Sequence, residues 1–339
     1  MVHQRALRSC LFLLLSLSFL AHWSAPAMAG ETYQLIGRIS YGEKGFSRDN
    51  PPLILLQGMK NPFAAHTRAD PAGDFKFKKL RPDMFTLIVY VAFAGEHRQT
   101  VEVSPGLADS KKRVFVEVAF QPNRSRKTLQ EVSSSQLSVS VKAIKELEKA
   151  FKRLEKRDRE GAVAHLKKSV EISPQFIEGW NTLGTMAYQS GKYELAERYF
   201  REALEHDPES YAPMVNLGGA LLSQGKIRES LPWNMAAVES RPDDALAHSQ
   251  VGLSYYYLGR YREAEEHLKQ AVALDPGHFS YPQLPLADIY LRNQDLKSAV
   301  RELEHFLMLH PDAEQAATVK RQVEIIYSQA GRKTVPGTP

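Results

Sequence analysis

Cysteine is nearly absent. The 339-residue chain holds one, Cys10, ahead of a short apolar run near its start. No disulfide framework, cysteine-ligated metal or thiol chemistry is expected from the residues after that run. Long apolar stretches are missing too. Leu11 to Leu20 is about half the ~20 residues of a spanning helix, and no later segment is long and apolar enough. An excess of one charge is also lacking. The chain carries 44 Lys and Arg against 39 Asp and Glu, and residues 141–311 hold 22 basic and 25 acidic side chains. A pI near 9.0 is therefore no basic face, and no nucleic-acid partner is expected. Catalytic signatures are absent as well: no H-E-x-x-H, nucleophile elbow or phosphate loop occurs. His206 and Glu209 have an H-x-x-E spacing, but Pro208 lies between them and keeps them off one helix face. Asp70 and Asp74 beside Gly73 read as turn formers rather than calcium ligands. The expectation is a non-enzyme with no cofactor and no metal.

The start of the chain has a leader's grammar. Arg5 and Arg8 precede the apolar run, and Ala27-Met28-Ala29 closes it. A basic start, a short apolar core and an A-x-A close describe a secretory signal peptide over 1–29, cleaved after Ala29. Without it 42 basic side chains face 39 acidic. The mature chain is expected to be exported, periplasmic or secreted from a bacterium, with no stable membrane insertion.

What is present in abundance is periodicity. Prolines stand at 174, 208, 242, 276 and 311, with gaps of 34, 34, 34 and 35 residues. Ala150, Gly184, Gly218, Gly252 and Ala287 keep the same step, as do Ala162, Ala196, Ser230, Ala264 and Ala299. Gly191, Gly225 and Gly259 mark turns inside the units. A fixed period of this size means stacked units, none able to bury its apolar face alone. Each unit reads as two helices, with Gly191 at the turn and Pro208 ending the second.

The second unit carries Trp180, Leu183, Gly184, Tyr188, Gly191, Tyr193, Ala196, Phe200, Ala203 and Pro208. This pattern resembles the tetratricopeptide repeat, and the fourth unit repeats it with Gly252, Tyr255, Gly259, Tyr261, Ala264, Leu268, Ala271 and Pro276. The resemblance implies a right-handed α-solenoid of helix pairs whose inner groove binds a protein or peptide segment. Five units are expected over 141–311 (about 141–174, 175–208, 209–242, 243–276 and 277–311), then a capping helix over 312–331 and a disordered tail over 332–339. Three departures stand out. The stripe Ile144, Leu147, Phe151, Leu154 suggests a shorter turn in the first unit, where Arg157 replaces glycine. Ser230 and Asn234 weaken the packing columns of the third unit, and Pro232 predicts a late start or a kink. One residue is added near Tyr281.

Residues 30–120 follow a different rule. Period-two runs over Tyr33–Ser40, Leu53–Gln57, Phe75–Leu80, 84–92, Thr100–Ser104 and Val114–Phe120 alternate with turn chemistry, which describes a β-sandwich. The run Ile36-Gly37-Arg38-Ile39, then Thr67 to Asp70, Gly73, Phe75, Phe77, Leu80, Pro82 and Phe85, is similar to carboxypeptidase regulatory-like (prealbumin-like) domains. That likeness implies a binding or spacer module without catalytic residues. Asp83 and Met84 stand where the family prefers one glycine. Residues 121–140, serine-rich and polar, read as a linker, with Ser138 or Ser140 as a helix cap. Each half is expected to fold separately. The fold class is thus an all-β sandwich followed by an all-α superhelix.

Candidate residues follow from the register. Trp180, Leu183, Gly184, Ala196, Phe200, Gly218, Gly252, Ala264 and Ala299 are assigned to packing within and between units. Asn181, Tyr188, Leu222, Ser249, Tyr256, Tyr257, Tyr281 and Arg292 are assigned to the partner-binding groove, although packing alone also accounts for the tyrosines. Three consecutive tyrosines, 255 to 257, fan over about 200° of a helix and cannot all enter one core. The function expected first is an exported adaptor in a cell-envelope assembly. The alternative is a scaffold that oligomerises through the stripe of Ile144 to Leu154, its 3–4–3 spacing being heptad-like. An accessory to a carbohydrate- or peptide-processing enzyme is third. Oligomeric state is left open.

Overall fold

In a computed structural model, residues 31–41, 46, 51–91, 94–120 and 138–329 are described. The expected leader, most of the expected linker and the expected tail lie outside these residues.

Alternation builds the first region. In β1 (Tyr33–Ser40) every second side chain is buried, starting from Tyr33. β1 pairs antiparallel with β4 (Asp74–Leu80) and parallel with β7 (Arg113–Ala119), giving a three-stranded sheet. The second sheet runs β3-β2-β5-β6, all antiparallel, from β2 (Leu53–Gly58), β3 (Ala64–Arg68), β5 (Asp83–Val91) and β6 (Gly95–Val103). Leu35, Ile39, Leu56, Phe85, Leu87 and Val118 fill the space between the sheets. At the turn before β4 the carboxylate of Asp70 accepts the amides of Ala72 and Asp74, each at 2.9 Å. Gly73 there has φ +86°, and a Cβ would strike the carbonyl of Ile39. Two differences from the sequence reading concern the second sheet. β3 is an additional strand, and β6 begins at Gly95 rather than Thr100. On β5 the outer-facing Met84 and Ile88 are as buried as the inner-facing Phe85 and Leu87. Strands that are apolar on both faces are covered on both faces.

The covering layer is helical. Eleven α-helices are described, in five pairs and a single last one. The pairs are α1 (Val141–Glu155) with α2 (Arg159–Ile172), α3 (Ile177–Gln189) with α4 (Tyr193–His206), α5 (Tyr211–Ser223) with α6 (Ile227–Ser240), α7 (Ala245–Tyr257) with α8 (Tyr261–Leu274) and α9 (Gln283–Arg292) with α10 (Leu296–Leu309). Residues 32–339 form one compact unit. Ser140, rather than Ser138, caps α1, its hydroxyl accepting the amide of Lys142 at 3.2 Å. The small-residue column works by close approach. A Cβ on Gly184 would enter the ring of Phe200, and one on Gly252 would lie 2.7 Å from Leu268. Leu183, Ala196, Ala264 and Ala299 are buried, while Trp180 is half-buried and donates its indole N–H to the Pro174 carbonyl at 2.7 Å.

Four sequence expectations are corrected. The first turn is not shortened: three residues separate α1 from α2, as they separate α3 from α4. Arg157 itself adopts φ +60°, matching Gly191 at +70°. Pro232 neither delays nor interrupts α6, which starts on schedule at Ile227. Its missing N–H forfeits one intrahelical bond. Ser230 and Asn234 do not loosen the third unit but are fully buried, with Asn234 Nδ2 donating to Ser254 Oγ at 3.1 Å and Gly218 seated against its amide. The stripe proposed for oligomerisation is largely spent within the first unit, since Leu147 and Leu154 are buried with Leu166 of α2 and only Ile144 is exposed. The last helix, α11 (Ala316–Gln329), lays Val319, Val323 and Ile326 over the end of the stack.

Candidate partner-binding groove

The first helices of the second, third and fourth units touch one another directly. In a curved stack, elements that meet their own kind lie on the inside of the bend, so α3, α5 and α7 line the inner face. Asn181, Tyr188, Leu222, Ser249, Tyr256 and Tyr257 lie on these three helices, and four of them are bonded to the next unit. Asn216 donates to Asn181 Oδ1 at 2.9 Å, Tyr188 shares a hydrogen bond with Ser223 at 2.9 Å, and Ser249 one with Ser280 at 2.5 Å. Tyr256 donates to Asp288 at 2.7 Å, and the same carboxylate takes the Arg292 guanidinium. Leu222 is half-buried between Leu221 and Ser223. The set is thus a ladder that fixes the unit-to-unit angle, and only part of it faces solvent.

Tyr257, at 46%, and Arg292 are the exposed members. The Tyr257 ring meets Tyr256 edge-on at 5.6 Å, Tyr256 meets Tyr261 at 5.8 Å, and Arg292 lies 5.0 Å over the Tyr261 ring. Burial and the Asp288 carboxylate push the Tyr256 phenol well above its ordinary pKa, and burial raises Tyr257. Both rings stay neutral donors at any physiological pH. Tyr257 occupies the column of Gln189 and Ser223, one unit apart each. Ser223 is engaged by Tyr188.

Gln189 shows what sequence reasoning missed. Its amide donates to the carbonyl of Gly58 at 2.6 Å, across to the β region. The outer face of the second sheet lies on the helical array. Met84 and Met59 pack with Phe279, Tyr281 and Leu284 of the fifth unit, and Ala64 packs with the first unit. Tyr281 is consequently 8% exposed, its hydroxyl 3.3 Å from Met84 Sδ and its pKa pushed up to about 12 by burial and the charge of Glu102. Tyr281 is therefore covered by the sheet and does not face solvent. A signal did exist: β5 reads D-M-F-T-L-I-V-Y-V, with Met84 and Ile88 apolar on the face that a one-sided strand keeps polar.

One histidine pair stands apart. His248 Nδ1 lies 3.1 Å from His267 Nδ1, and His248 Nε2 is 3.0 Å from the Pro242 carbonyl. A carbonyl only accepts, so Nε2 carries a proton, Nδ1 of neutral His248 accepts, and His267 donates. Burial, and then the neighbouring His248, lower the His267 pKa. A depressed histidine pKa contributes stability above the unfolded value near 6.5 that is lost as pH falls through the folded value. The melting temperature is expected to drop below about pH 6.5, and more steeply than in a His267→Phe variant. Equal slopes in thermal melts would remove the pair as the cause. Among the described residues no three His, Cys, Asp or Glu side chains are placed to share a metal ion. No helix among them is long and apolar enough to cross a membrane.

Comparison with known proteins agrees with the helical architecture. Residues 181–245 and 245–278 match the tetratricopeptide repeat. The chain is 28% identical over 123 residues to the Hsp70-Hsp90 organising protein of Plasmodium falciparum, covering 36% of this chain and 48% of that one. It is 33% identical over 97 residues to the human protein O-mannosyl-transferase TMTC2, covering 28% of this chain and 12% of that one. The chain thus spans less than half the length of these relatives. Among solved structures, residues 41-end of MamA from Desulfovibrio magneticus RS-1 align with a TM-score of 0.46 and 23% identity, covering 52% of this chain and 99% of that one. The helical half is a stack of tetratricopeptide repeats, units that commonly mediate protein–protein interaction.

Proposed function

We propose that the protein is an exported, non-enzymatic adaptor of a bacterial cell-envelope assembly that captures a protein segment on the inner face of its helical stack. The observation that carries this reading is the cluster of Tyr256, Tyr257 and Arg292, with Tyr257 exposed and edge-on to Tyr256, which in turn meets Tyr261 under the Arg292 guanidinium. Tyrosine and arginine offer large contact area and a polar handle at low entropic cost, which is why they anchor interfaces. The β region, taken as a carboxypeptidase regulatory-like module, has no catalytic part in this reading. Nucleic acid has none either.

Tyr257→Ser is the informative variant, because Tyr257 carries no inter-unit bond of the ladder type. Its melting point is expected within a few degrees of the parent. Recovery of envelope proteins on the immobilised chain is expected to fall at least about tenfold, the ~1.4 kcal/mol of one modest hot spot. Undiminished recovery by a folded Tyr257→Ser chain would overturn the assignment.

A further inference from the structure

The helical array already holds an occupant, along the C-terminal ends of its second helices. Outer-facing groups of β6 meet the helical array at the residue before each of the last three repeat prolines. Glu96 pairs with Arg241, the amide of Thr100 donates to Asp275 at 2.8 Å, and Glu102 takes His310 Nδ1 at 3.0 Å. Just beyond the strand, the Gly106 amide donates to Asp312 at 2.6 Å. Arg98, between Glu96 and Thr100, is within electrostatic reach of Asp244 and Glu178. One extended strand is thus followed by three consecutive units, through polar groups at positions 96, 100 and 102.

We propose that this row is a receptor for an extended segment bearing two carboxylates six residues apart, that β6 fills it in cis, and that a protein partner with such a segment displaces β6 to bind. Three observations favour exchange over a permanent weld. The contacts along β6 are ion pairs and hydrogen bonds, and a buried ion pair gives little net stability once desolvation is counted. Polar contacts between regions of one chain resemble transient interfaces. The 17 residues between Phe120 and Ser138 span at most roughly 60 Å when extended, enough chain for the sheet to lift. The apolar contact of Met84 with Tyr281 lies at one end of the row and sets which end releases first. The Tyr257 cluster lies outside these contacts.

The test uses the full chain. Glu96→Arg with Glu102→Arg removes both carboxylates from the cis strand and leaves the receptor side intact. Hydrogen exchange at Thr100 is expected to accelerate at least tenfold, and the scattering radius to increase. A second variant adding Arg241→Glu and His310→Glu should restore slow exchange, which separates release from misfolding. The probe is a labelled peptide copying residues 94–104. It should bind the opened variant at least tenfold more tightly than the parent, and lose that gain when both glutamates become glutamine. Unchanged exchange and radius in the first variant would overturn the occupancy. An opened variant that binds both peptides alike, or neither, would overturn the receptor. Loss of capture by Tyr257→Ser is independent of each result, so failure here leaves the adaptor reading standing.

Discussion

Phe200→Ala is expected to cost about 3–5 kcal/mol of stability, the range for a buried aromatic truncated without collapse. Phe200 is 1% exposed and lies where Gly184 brings α3 and α4 closest. Its partners include Ala187, Ala196, Leu204 and Val215, so the ring joins the second unit to the third. Removing it leaves a void that two helix pairs would have to close together, and the repeat stack resists that because each crossing is set by its own small-residue column. The complementary change, Gly184→Leu, drives a side chain into space the ring occupies. Both variants should lose most of their resistance to guanidinium. A loss below about 1 kcal/mol for Phe200→Ala in a denaturant titration would show that the column has been assigned to the wrong residues.

The repeat was the most legible part of the chain because its constraints recur. A glycine that must accept a side chain of the paired helix returns every 34 residues, as Gly184, Gly218 and Gly252 do, and the eye needs only the spacing. What recurs less often was harder to read. Arg157 and Gln294 adopt the left-handed turn conformation that Gly191 and Gly225 make obvious, and only their position in the repeat identifies them. Asn234 at a core position suggested loose packing, yet its amide is tied to Ser254 and Gln250 of the next unit. A buried polar group is compatible with tight packing when its partners arrive from another repeat, and pairings between units are invisible to a column-by-column reading.

The strands show the same limit from another side. β3, Ala64–Arg68, is short, an edge strand, and has no apolar alternation to announce it. The first half of β6, Gly-Glu-His-Arg-Gln, reads as solvent-facing loop because its side chains are polar. Those groups do leave water in part, but they enter a second protein layer where Arg241 receives Glu96, as Asp275 and His310 receive Thr100 and Glu102 further along. The contacts that the groove candidates make were not legible. Tyr281 is occupied by Met84, and Tyr188 by Ser223, through contacts 197 and 35 residues apart in sequence.

The expectation that the two halves fold independently therefore gives way to a coupled one, and Phe85→Ala decides it. Phe85 is fully buried between the two sheets, and its neighbour Met84 points the other way into the fifth repeat. Truncating Phe85 is expected to cost about 3–5 kcal/mol locally. If the helical stack depends on the docked sheet, part of that loss must appear in the stack as well. Trp180 and Trp233 both lie in helical units, so tryptophan fluorescence of the chain without residues 1–29 reports the stack alone. The fluorescence midpoint is expected to fall with the strand signal, by roughly 5–15 °C for a cooperative unit of this size. A fluorescence transition that stays in place while the far-ultraviolet strand signal shifts would show two independent folds touching at a polar seam. Coincident shifts would make the sheet a structural layer of the stack, and any partner that lifts β6 would then also soften the helices it binds.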